Sequence, residues 1–219
     1  MRKTIITILI LLGLGFAVWA FGATQGANSP TTIASDNATG TIPWVNPTNA
    51  TSSDNVYTTA TFTITSESYY LKATNFGFSI PAGATIDGIL VEVERFNQFS
   101  SEDQVYDKYV KIVKSDGTIG TTNKANLINW PASDTYVSYG TSTDLWDETW
   151  SPADINDVDF GVVLSAYITH LAQNAGALAK VDHIRITITY TEAVAGGGQK
   201  VQIKSGKFSI PTGRLIIKN

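Results

Sequence analysis

The 219-residue chain contains no cysteine, which excludes disulfides, thiolate metal sites and thiol catalysis and leaves packing as the source of stability outside a cell. It has two histidines, His170 and His183. Neither is followed by a metal-ligand partner at helical spacing, and a zinc site wants three ligands, so each is expected as an exposed strand or loop histidine. Positive charge is scarce. With 15 Lys and Arg against 19 Asp and Glu, a net charge of -4 and basic residues clustered only at the two ends, nucleic acid is not an expected partner. A Gly-x-Ser-x-Gly elbow, a glycine-rich phosphate loop and a dinucleotide fingerprint are all missing.

What the chain does have is apolar, β-forming residues at period two. The segment Thr85 to Phe96, TIDGILVEVERF, sets Ile89, Val91 and Val93 on one face of a strand and Leu90, Glu92 and Glu94 on the other. The rest of the chain reads as strands that cover its apolar face. Ala60 to Thr65 and Tyr69 to Ile80 supply two or three, rich in Thr, Val, Ile, Tyr and Phe. Asn97 to Gln104 is a polar loop and Val105 to Lys114 a strand. Ser115 to Thr118 is a tight turn built on Asp116-Gly117, with Ile119 to Ile128 as an edge partner beyond it. Ser151-Pro152-Ala153-Asp154 predicts a capped helical turn. Phe160 to Ile168 is a long central strand, and Thr169 to Lys180 a connection with a turn of helix around Leu171 to Gln173. In the closing strand Val181 to Tyr190, Ile184, Ile186, Ile188 and Tyr190 face inward and His183, Arg185, Thr187 and Thr189 outward. Strands about every ten residues without a long helical period predict an all-β fold, an antiparallel two-sheet sandwich of jelly-roll type, as one domain with appendages.

The ends differ in character. Arg2 and Lys3 precede an apolar run, Ile5 to Trp19, that closes on Ala20-Phe21-Gly22. Residues 1–22 are therefore a signal peptide cleaved after Gly22, or a retained membrane anchor, and both export the domain. Residues 23–54, rich in Thr, Ser, Asn, Gly and Pro, are expected as loosely held extended chain, with Trp44 against the sandwich edge or exposed for stacking. Asn37 and Asn49 begin Asn-x-Thr triplets, which matter only in a glycosylating host. The sandwich is expected over 55–192 and a glycine-rich linker over 193–199. Residues 200–219 repeat every seven, each copy carrying a basic residue, an apolar one, a spacer and an isoleucine. The apolar positions Val201, Ile203, Phe208, Ile210, Leu215 and Ile217 are expected on short strands that would bury no face alone and need a partner surface.

Trp150-x-Pro152-x-Asp154-Ile155-Asn156, Phe160-Gly161-Val162 and Val181 to Tyr190 resemble the closing half of β-sandwich modules in secreted bacterial surface proteins and phage virion proteins. Phe76 to Val93 looks like their opening half. The resemblance spans about Ala60 to Tyr190 and implies a fold and a surface or structural setting. It brings no catalytic residue.

Four constellations offer chemistry. Glu92 and Glu94 share a strand face, as glycosidase carboxylates must, or form a solvated face beside Arg95. Asp154, Asn156, Asp157 and Asp159 offer oxygen ligands for calcium, or bind their own backbone as a capped turn. Glu102, Asp103 and Asp107 are a second, weaker set. Trp130, Trp146 and Trp150 with Tyr136 and Tyr139 form a sugar-stacking platform, or core and edge cover. No cofactor is expected, calcium being the candidate ion. The chain is thus expected to be an exported, extracellular or cell-surface, non-enzymatic structural or adhesive protein. Its partner would be other copies of itself or another surface protein, reached through strand addition by the C-terminal repeat. The alternative is a secreted carbohydrate-binding, lectin-like module that binds glycan with or without calcium. Membrane contact is expected only through the N-terminal segment.

Overall fold

In the computed structural model of the chain, residues 22–98, 104–168 and 177–193 are described. Among the described residues nine strands carry the fold: β1 Gly22–Asn28, β2 Thr32–Asp36, β3 Thr58–Phe62, β4 Tyr70–Thr74, β5 Thr85–Asn97, β6 Val105–Val113, β7 Thr135–Gly140, β8 Gly161–Ile168 and β9 Ala177–Thr191. A 3₁₀ turn, Pro47–Ala50, and one short helix, α1 Pro152–Asn156, complete the elements. One antiparallel sheet runs β1-β9-β5-β7, with β3 beside β1 on the same edge of β9, and the other runs β2-β4-β8-β6. Successive strands alternate between the sheets from β1 to β9, the arrangement of a jelly-roll sandwich. The expected all-β sandwich is the observed architecture. The expected N-terminal hydrophobic helix, the linker and the seven-residue repeat lie outside the described residues, as do His170, Glu102, Asp103 and the helical turn near Leu171.

β5 has the expected faces. Ile89, Val91 and Val93 are buried against the opposite sheet, while Leu90, Glu92 and Glu94 are only partly covered. β9 and β8 bring Ile184, Ile186, Ile188, Val162, Leu164 and Ala166 into the same core. Each fully buried Ile or Leu there contributes about 1.5–3 kcal/mol through water released from its surface. The Asp116-Gly117 turn closes as expected, with Gly117 at φ 79° and Lys114 N–H donating to the Thr118 carbonyl at 2.8 Å.

Three expectations are corrected. Residues 23–54 are not loosely held: β1 pairs with β9 from Gly22 to Asn28, β2 pairs with β4, and Trp44 is buried with its Nε1 donating to the Tyr69 carbonyl at 2.8 Å. Edge strands are held mainly by backbone pairing, so a polar sequence suffices once Ile33 and Trp44 anchor it. Residues 119–128 form no strand. Asn123 Oδ1 accepts the Val110 N–H at 2.9 Å and Lys124 N–H donates to the Val110 carbonyl at 2.9 Å, so this segment runs beside β6 on mixed side-chain and backbone bonds. Leu127 and Ile128 are left exposed. After Thr74 the strand pattern of 69–80 continues without a ladder. Asn156 pairs instead with the backbone of Ile80, its Oδ1 accepting N–H at 2.7 Å and its Nδ2 donating to the carbonyl at 2.9 Å.

Candidate metal centre

On the outer face of the first sheet, His183 of β9, Glu94 of β5 and Tyr136 of β7 stand in one cross-strand row, paired Glu94 to His183 and Glu94 to Tyr136. Asp134 precedes β7 two positions before Tyr136 and so shares its face. Asp182 joins them through a bulge. Between the pairs Glu94 to His183 and Arg95 to Val181 the register shifts by one residue. Val181 and Ile184 both remain in the core while Asp182 turns outward beside His183. A bulge of this kind re-aims one side chain without disturbing the strand on either side.

The result is a cluster in which one oxygen each of Glu94, Asp134 and Asp182 lies within 4.8 Å of the others. Asp182 is 1% exposed. Its Oδ2 accepts the Asn55 N–H at 3.1 Å, while its Oδ1 and the Oε2 of Glu94 are buried without a hydrogen-bond partner. Such atoms cost free energy unless something compensates them. Burial raises the pKa of Asp182 and of Asp134 from the ordinary aspartate value. Tyr57 lies over the cluster against Asp134, and burial followed by that carboxylate pushes its pKa up to about 12. Burial also raises the pKa of Tyr136.

His183, expected as exposed, is buried under residues 51–57, bridged to Thr51, because the chain after the 3₁₀ turn folds back over β9. Its Nε2 bonds Ser29 Oγ at 2.8 Å and its Nδ1 bonds Tyr136 Oη at 2.7 Å. Burial first, then Arg185, lower its pKa, which keeps the ring neutral. Arg185 is engaged elsewhere, donating to both oxygens of Glu92 at 2.8 and 3.1 Å with its guanidinium 3.9 Å from the centre of the Tyr136 ring. A further cation, Lys180, holds its Nζ over the rings of Tyr57 and Phe96, and its charge acts on Asp134.

The structure separates the residues singled out in the sequence. Glu92 pairs with Arg185 and Glu94 joins Asp134 and Asp182, so the two carboxylates of that strand face serve different partners. Trp130 and Trp146 are 2% and 1% exposed, Tyr139 is buried, and Trp150 packs edge-on against Phe160 with its Nε1 bonded to the Leu145 carbonyl. Tyr136 alone of the five belongs to the outer face. Asp154 closes a capping box with Ser151, Asn156 holds Ile80, and Asp157 accepts the Asp159 N–H at 2.9 Å. Asp107 is drawn into the core, where it meets Arg95, Tyr139 and Trp130. Asp134 and Asp182 escape notice in the sequence because they lie 48 residues apart, and strict alternation along β9 would turn Asp182 inward.

No protein-family model and no curated protein matches the chain. Among solved structures, it is similar to one from infectious bursal disease virus, Gx strain, with 12% identity and a TM-score of 0.34 over 74% of this chain and 33% of that one. A crystal structure with xylogluco-oligosaccharide is similar at 14% identity and a TM-score of 0.25, over 77% of this chain and 35% of that one. The chain spans about a third of the length of each. These likenesses are too distant to carry an argument, and the architecture rests on the strand pairing itself.

Proposed function

We propose that the protein is an exported, non-enzymatic structural or adhesive surface protein that assembles by strand addition, the C-terminal repeat of one copy pairing with a sheet edge of another. The observation that carries this reading is the open edge. Among the described residues β7 ends one sheet and β2 the other, each paired on a single side. An unpaired edge offers a row of backbone donors and acceptors, and a short apolar repeat that cannot bury a face alone is the complementary element.

The carbohydrate-binding alternative has less support. Stacking on a sugar needs an open ring face, and Trp130, Trp146 and Tyr139 are enclosed by the core.

The test compares the full chain with a version ending at Glu192 by light scattering and negative-stain microscopy. Filaments or discrete oligomers from the full chain, and monomers with unchanged thermal unfolding from the shorter one, are expected. Equal size for both would overturn the reading.

A further inference from the structure

We propose that Glu94, Asp134 and Asp182 form a binding site for a divalent cation of the calcium class, and that the bound ion fastens residues 51–57 onto the outer face of the first sheet. The proposal stands apart from the assembly reading and needs no contribution from the C-terminal repeat.

Three observations converge. The first is geometric: the three carboxylate oxygens lie within 4.8 Å of one another. Oxygens bound at ~2.3–2.6 Å on opposite sides of calcium are separated by about the same distance. The second is the orphaned acceptor inside the cluster. Asp182 is 1% exposed, one of its oxygens lies within 4.8 Å of the two other carboxylates, and its Oδ1 is buried with no donor to meet it. A cation supplies what the fold withholds there, because no Lys or Arg forms an ion pair with any of the three among the described residues. The third is the chemistry of the surroundings. His183, the one imidazole beside the cluster among the described residues, has both ring nitrogens committed to Ser29 and Tyr136. The available donors are therefore oxygens, which suit calcium and not zinc or copper.

The consequence for the fold comes from the second oxygen of Asp182. It holds the Asn55 backbone N–H, so an ion on Oδ1 would fix both the carboxylate and the loop that carries Asn55. Glu94 and Asp134 are half-buried as residues, while Glu94 Oε2 and both Asp134 oxygens are buried atoms. Water and the backbone of the covering loop would complete the coordination shell, as is usual for calcium.

The test uses terbium, which takes calcium sites and emits when a nearby aromatic ring is excited; Tyr57 and Tyr136 lie beside the cluster. The full chain, stripped with chelator, is titrated with terbium and then with calcium, and its unfolding is followed with and without calcium. Saturable emission displaced by calcium is expected, with a melting temperature raised by about 5 °C or more at ~100-fold excess of free calcium over Kd. Asp182→Asn, which keeps an acceptor for Asn55, should weaken calcium binding by about tenfold or more, and Glu94→Gln provides the same reading should that variant fold poorly. Asp154→Asn should leave the emission unchanged. The proposal is overturned by absence of a calcium effect on the wild-type chain, by binding that survives Asp182→Asn and Glu94→Gln, or by binding that is lost with Asp154→Asn.

Discussion

Arg95 of β5 and Asp107 of β6 meet at 3.2 Å between the two sheets, with side chains 2% and 0% exposed. The carboxylate also accepts from Tyr139 Oη at 2.8 Å, Trp130 Nε1 at 2.8 Å and the Asn126 N–H at 3.0 Å, and the guanidinium lies 4.5 Å from the centre of the Trp130 ring. Burial, and next the Asp107 charge, push the Tyr139 pKa far above its ordinary value, so the phenol stays a donor. The carboxylate is thus fully engaged, which is the condition under which a buried ion pair is tolerated, while Nη1 of Arg95 is buried without a hydrogen-bond partner.

Removing one partner should be severe. Asp107→Ala leaves a buried guanidinium, an indole N–H and a phenol without their shared acceptor, and is expected to destabilise by about 3–5 kcal/mol. Chemical denaturation of variant and wild type measures this. A loss under about 1 kcal/mol would show that water or another acceptor replaces the carboxylate.

Gly140 closes β7 at φ 76°, and a Cβ there would stand 2.4 Å from the Ile89 carbonyl oxygen and 2.8 Å from Trp146 Nε1. Trp146 donates to that same carbonyl at 3.0 Å. Gly140→Ala therefore strains the backbone and displaces the indole, and should cost about 2 kcal/mol or more. Trp146→Ala should cost about 3–5 kcal/mol through the cavity it leaves. Near-UV circular dichroism and thermal unfolding would follow both variants, and wild-type stability in either one would remove this account of the corner.

Asn156 substitutes for a strand by bonding both the N–H and the carbonyl of Ile80. Asn156→Ala leaves both backbone groups short of a partner and is expected to destabilise by about 1–3 kcal/mol. Asn156→Asp keeps the acceptor and loses the donor, so it should fall between alanine and wild type. The ranking of the three melting temperatures is the check.

Asp154 takes the Ser151 N–H at 2.9 Å and the hydroxyls of Ser151 and Ser115 at 2.6 and 2.9 Å, and these bonds, that of the Ser151 side chain foremost, lower its pKa from 3.8. A carboxyl with a lower pKa folded than unfolded adds stability that is fully present above the unfolded value and lost as pH falls through the folded one. The stability difference between wild type and Asp154→Ala should then be constant above about pH 5 and shrink below 3.8. Paired denaturation curves from about pH 7 to about pH 2.5 measure it, and a difference that grows on acidification would contradict the capping geometry.

The sandwich can be read from local sequence pattern. The period of two in β5, β8 and β9 places their isoleucines and valines without reference to any neighbour, and Asp116-Gly117 and Ser151-Pro152 mark their turn and helix through local backbone chemistry. Such features depend on residues a few positions apart, so they are legible in one dimension.

The outer-face cluster arises only in three dimensions. Whether Asp182 enters the core or leaves it depends on a one-residue register shift against β5, and the partners that shift provides come from positions 55, 94 and 134. The same holds for the burial of Trp130 and Trp146, for Asp107 finding Arg95, and for the polar 23–54 segment becoming two paired strands. A composition shows that a carboxylate or an indole is present. Which way it points is settled by pairing across the sheet, and only the fold brings those partners together.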